Sequence, residues 1–100
     1  MNVISRRPPA AFGTRYADAA EPLNAWYKAA RKARWARWAD VQRAYPKASY
    51  YRGCLVFNVS ENKYRLVVRR SASWSTLFVV GVFTHADYDR KEWKRHCTCR

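Results

Sequence analysis

The chain has 100 residues, room for one domain around a single core, and its 20 Lys and Arg against 7 Asp and Glu give a formal charge of +13. That excess runs from Arg6 to Arg100. It puts polyanions first among partners: nucleic acid or a ribosome-like surface, with an anionic membrane or an acidic protein behind them.

Five Trp, seven Tyr and four Phe exclude a disordered basic arm. No stretch approaches the roughly 20 apolar residues of a membrane helix, and MNVISRRPPAAF lacks the apolar run of a signal peptide, so a cytoplasmic protein without membrane contact is expected. Cys54, Cys97 and Cys99 form no even framework, which suits a reducing compartment. The metal-like run HCTC at 96–99 has no second ligand pair, so neither a metal nor another cofactor is expected.

In chain order, Pro8, Pro9 and Gly13 predict a short opening element and a turn, with a few helical residues near 9–16. From Glu21, with Pro22 in the first turn, Leu23, Trp26, Tyr27, Ala30 and Arg34 recur at helical spacing and predict a helix over 22–36. Lys28, Arg31, Lys32, Arg34 and Arg37 make its outer face basic, as a solvated face or as a seat for phosphate or an acidic partner. Trp35 and Trp38 read as core or interface aromatics. ADVQRAYP at 39–46 predicts a short helix capped by Asp40 and stopped before Pro46.

After Pro46 the period becomes alternating, with strands expected over 54–59, 63–70 and 76–85 and a hairpin loop at 71–75. The expected architecture is α+β: N-terminal helices on one face of a small antiparallel β-sheet, with a single domain over 1–93 and a disordered basic tail over 94–100.

Alternation separates Tyr64, Leu66 and Val68 on the core face from Lys63, Arg65 and Arg69 on a basic stripe. A two-residue turn at Ser60 and Glu61 pairs Asn58 with Lys63 and Phe57 with Tyr64. If 71–75 closes symmetrically, Lys63 lies opposite Phe83 and Glu61 opposite His85, with Gly81 facing Arg65 and leaving room for a ligand. His85 then shares the basic face, and Tyr88 follows three residues on.

Cutting RNA without a metal needs a base for the 2′-hydroxyl proton, cations for the phosphate and an acid for the leaving 5′-oxygen. Lys63 and Arg65 suit the second task, His85 the first or third, and Tyr88 donates a hydrogen bond or stacks on a base. Plain nucleic-acid binding and a satisfied surface histidine fit the same residues. Asp87 and Asp89 fit ion pairs with Arg90 or Lys91 better than a metal.

MNVISR at the start, LNAWYK at 23–28, WADV at 38–41, FNVSENKYRLVVR at 57–69 and THADYD at 84–89 resemble, in order, the HigB-type toxins of bacterial type II toxin–antitoxin systems. The resemblance implies a RelE-superfamily fold and an mRNA interferase acting on translated mRNA in the ribosomal A site. It also implies neutralisation by a HigA-type helix-turn-helix antitoxin, with promoter DNA bound only through the complex. Carried onto this sequence, it implies Lys63, Arg65, His85 and Tyr88 as catalytic residues, and Asn62 beside them; Asn58 and Arg69 complete the expected RNA-binding set. Alternatives are a ParE-like gyrase inhibitor and a noncatalytic basic RNA-binding module. SerGlu stands at 60–61, where the family's hairpin turn carries glycines.

Overall fold

The computed structural model describes residues 1–5, 17–61 and 63–97. Five strands, β1 (Asn2–Ile4), β2 (Ser49–Tyr51), β3 (Cys54–Val59), β4 (Tyr64–Arg70) and β5 (Thr76–Thr84), form one sheet in the order β1-β5-β4-β3-β2. The helices are α1 (Ala20–Lys32), α2 (Trp38–Ala44) and α3 (His85–Asp89), with 3-10 turns at Ala17–Ala19 and Glu92–His96. The architecture is α+β and RelE-like, as expected, although the sheet is mixed: β1 runs parallel to β5 at its edge. Strands β1 and β2, three residues each, are too short to show an alternation. Residues 9–16 lie outside the described residues. Among the described residues no helix is long and apolar enough to cross a membrane.

Helix α1 buries Leu23, Trp26 and Ala30 and ends at Lys32, four residues before the expected 36. Ala33 leaves with ψ 154° while its N–H still bonds the Ala29 and Ala30 carbonyls. That exit drops Trp35 into the core at 7% exposure, which a continued helix would not do. In α2 the N-cap position is Arg37, and Asp40 sits in the first turn. Its carboxylate reaches back to the Ala36 N–H (3.0 Å), and that bond holds its pKa below the usual value. The helix stops where Tyr45 bonds back to Val41 and Pro46 supplies no N–H.

The β3–β4 register differs from expectation by two residues, and the β4–β5 register by two at its open end and by one beside its loop. Val59 pairs with Tyr64, Asn58 with Arg65 and Phe57 with Leu66, so the β3–β4 turn takes in residues 60–63 rather than two. Ser60 and Glu61 there adopt φ of 53° and 54°, a conformation glycine would enter without strain. Between β4 and β5, Arg65 pairs with Phe83 and Val67 with Gly81, then Val68 with Val79, so Val80 is bulged out. Because side chains alternate with period two, a two-residue shift leaves every residue at the open end on its expected face.

Leu55, Phe57, Val59, Leu66, Val68, Leu77 and Val82 form the main core with Trp26, Trp35 and Val41 from the helical side. The opposite face is buried as well: Cys54, Val56 and Val67 lie under Trp93 and Cys97, with Tyr51, Val80, Phe83 and Tyr88 around them. Residues 94 to 97 are therefore not a disordered tail. The 3-10 turn Glu92–His96 packs on the sheet, and Cys97 forms a disulfide with Cys54. The odd cysteine count had argued against such a bridge, since it suited a reducing compartment.

Phe57, 2% exposed, sits 5.1 to 6.3 Å from the rings of Tyr45, Trp26 and Trp35. Phe57→Ala should cost about 3–5 kcal/mol, read as a lowered urea midpoint at unchanged m-value.

Candidate functional site

Strand β5 ends where Thr84 turns out of the ladder, and its hydroxyl accepts the Asp87 N–H (3.2 Å) as the cap of α3. His85 is thus the first residue of a helix, not the last of a strand. It is exposed, and Tyr88 follows one turn later on the same side of α3. The Arg65 guanidinium carbon lies 5.7 Å from the centroid of the Tyr88 ring. Asn58 and Phe83 flank Arg65 on the neighbouring strands. The structure therefore gathers Arg65, Tyr88, His85 and Asn58 around the open end of β4.

Lys63 is drawn elsewhere. Its ammonium bonds one oxygen of Asp18 (2.8 Å) while the Tyr64 hydroxyl bonds the other (2.7 Å) and the Ser60 hydroxyl takes the Asp18 carbonyl (2.6 Å). Tyr64 packs on the helical side, so Lys63, expected on the Arg65 face, points its charge toward the opposite side at the strand's end. The Lys63 and Tyr64 hydrogen bonds hold the Asp18 carboxyl below its usual pKa, and the bond to Asp18 raises that of Lys63. Lys63 is a cation here, not a base. A depression of about 670 Å³ beside it is also lined by Asp18, Glu21 and Glu61, so the Lys63 ammonium stands among three carboxylates.

The basic stripe is also interrupted. Arg69 pairs with Cys54 and Phe78, its guanidinium 4.7 Å from the Phe78 ring, and buried Val67 separates it from Arg65. Gly81 lies opposite Val67 rather than Arg65, and the space beside it is filled by the Phe83 ring, 3.1 Å from where a Cβ would stand. Asn62 lies outside the described residues.

Sequence reasoning missed Asp18, Tyr64 and Trp93. The Trp93 ring stacks on Tyr88 (5.0 Å between centroids, 12° between planes), and its indole N–H donates to the Tyr88 carbonyl (3.0 Å). Trp93 and Cys97 stand four apart, and the apolar run 54–57 shows no alternation; together these point to a covered second face. Nothing in the sequence signals Asp18, 45 residues from Lys63. The HCTC metal reading loses Cys97 to the disulfide, and among the described residues no three His, Cys, Asp or Glu side chains cluster as a metal site requires.

Residues 19–91 match the family model of the HigB toxin, described as the RelE-like toxic component of a toxin–antitoxin system. The chain belongs to that family. None of the curated proteins compared with it matches. As a HigB-family toxin it has an antitoxin as partner, and the matched span contains Lys63, Arg65, His85 and Tyr88 but neither Asp18 nor Trp93.

The lowered pKa of Asp18 means its contribution to stability is present above 3.8 and lost as pH falls through the folded-state value. The raised pKa of Lys63 means its share is present below 10.5 and lost as pH rises through its own folded-state value. Asp18→Asn should lower the urea midpoint at neutral pH by a small margin that salt of about 0.5 M narrows and acid below the Asp18 titration abolishes. An undiminished gap in acid would show that the carboxylate charge is not what holds Lys63.

Proposed function

We propose that this HigB-family toxin is an endoribonuclease that cuts mRNA during translation in the ribosomal A site, by attack of the 2′-hydroxyl on the adjacent phosphate. The observation that carries this reading is the Arg65 guanidinium lying against Tyr88, one helical turn from His85. Three chemistries are needed at one phosphate, and Arg65 at the strand end with His85 and Tyr88 on the following helix could supply them.

In this mechanism Arg65 holds two phosphate oxygens and stabilises the charge that develops on them. His85 and Tyr88 divide the proton transfers, one taking the 2′-hydroxyl proton and the other serving the leaving 5′-oxygen. The Tyr88 ring is stacked on Trp93 and faces Arg65, which favours its hydroxyl edge as a donor over its face as a base platform. Lys63 joins as an RNA-binding cation by exchanging the Asp18 carboxylate for a phosphate. Asn58 lies beside Arg65 to bind the cut nucleotides, Asn62 is assigned to the same task from its sequence position, and Arg69 contacts phosphates farther along the strand. The antitoxin in this reading is of the HigA type, with a helix-turn-helix, and reaches promoter DNA as part of the complex.

Expression should arrest growth and leave mRNA fragments with 5′-hydroxyl ends in a translating extract. Arg65→Ala and His85→Ala should each slow cleavage by about 10²-fold or more while the urea midpoint holds. A double variant that cuts at the wild-type rate sinks the mechanism. Arrest with intact mRNA and inhibited gyrase points to the ParE-like reading, and salt-sensitive RNA binding without cleavage to a binding module.

A further inference from the structure

We propose that the Cys54–Cys97 disulfide is a redox latch that closes the C-terminal 3-10 turn over the sheet so that Trp93 positions Tyr88 against Arg65. The positioning half rests on the nuclease reading above; the latch itself does not.

A five-residue 3-10 turn has too few internal bonds to persist by itself, so its contacts with the sheet must hold it. Those contacts converge on Trp93, 3% exposed, stacked on Tyr88 and edge-on to Tyr51 at 5.7 Å. The Lys94 ammonium sits 4.4 Å over the Tyr51 ring, at the far end of the same row. Lys94, Tyr51, Trp93, Tyr88 and Arg65 thus form one continuous series of ring contacts with a cation at each end. The disulfide fixes the segment 43 residues away from its partner in sequence and keeps Trp93 at high local concentration over Val56 and Val67. Once it is reduced, the aromatic contacts alone oppose the entropy of release.

The chemistry is thiol–disulfide exchange with a dithiol reductant. One reductant thiolate attacks Sγ of Cys97, the less buried residue of the pair at 7% against 0% exposure, and Cys54 leaves as a thiolate that takes up a proton. The second reductant thiol displaces Cys97, leaving two protein thiols and a cyclic disulfide that carries away the two-electron oxidation. A disulfide oxidant such as oxidised glutathione reverses the sequence.

The test uses the full chain with Cys99→Ser, so that no third thiol exchanges, in oxidised form and after reduction by dithiothreitol. Amide hydrogen exchange over 92–97 and the Trp93 indole N–H resonance report the latch, with α1 and β3 amides as the internal reference. Reduction should speed exchange over 92–97 by about tenfold or more and shift the indole resonance, while the reference amides hold. It should also lower kcat for mRNA cleavage with KM unchanged, since Trp93 touches Tyr88 and not the substrate. Trp93→Phe should retain most of kcat and Trp93→Ala should not. Unchanged exchange and an unshifted indole on reduction overturn the latch. Altered exchange with unchanged kcat overturns the positioning half. Absence of cleavage in both redox states counts against the nuclease reading, and the exchange data still decide the latch.

Discussion

Val67 and Val68 are adjacent on the central strand and both fully buried, yet successive strand side chains point to opposite faces. A sheet built on that strand needs cover on both sides. The helices provide it on one face through Trp26, Trp35 and Val41, and the C-terminal turn provides it on the other through Trp93 and Cys97. Most of what distinguishes the site follows from this double burial. The second cover splits the basic face, leaves Arg65 at its rim and brings an aromatic stack to the side of Tyr88.

The candidate site lies at the open end of the β4–β5 hairpin, where the ladder stops and α3 begins. Thr84 does two jobs there, closing the strand and capping the helix, so His85 and Tyr88 are presented one turn apart beside Arg65. Electrostatics divide the same region. The cation of Arg65 faces an aromatic ring, whose quadrupole attracts it without neutralising its charge, whereas Lys63 is paired with a carboxylate. The two cations two residues apart are therefore not equivalent: the Arg65 guanidinium lies against a ring, and the Lys63 ammonium is ion-paired.

The family to which the chain belongs accounts for residues 19–91 and for the toxin fold. The Asp18 clamp and the Trp93–Cys97 cover fall just outside that span, on either side of the residues gathered at the site. In this chain the ends of the domain are the parts that decide how Lys63 and Tyr88 are held.

Local pattern determined a good deal of this protein from sequence alone. The apolar spacing of Leu23, Trp26 and Ala30 set the buried face of α1, the alternation over 64–68 set which side of β4 faces the helices, and parity preserved those faces through two misjudged registers. The helix stop at Pro46 and the basic outer surface were equally local. Tertiary structure alone decided the rest. The bulge at Val80 and the pairing of Asn58 with Arg65 depend on where each hairpin closes, and the capture of Lys63 by Asp18 and the closure of Cys97 on Cys54 join residues more than forty apart in the chain. No short-range periodicity encodes such pairs, because each depends on where the packed sheet brings two segments together.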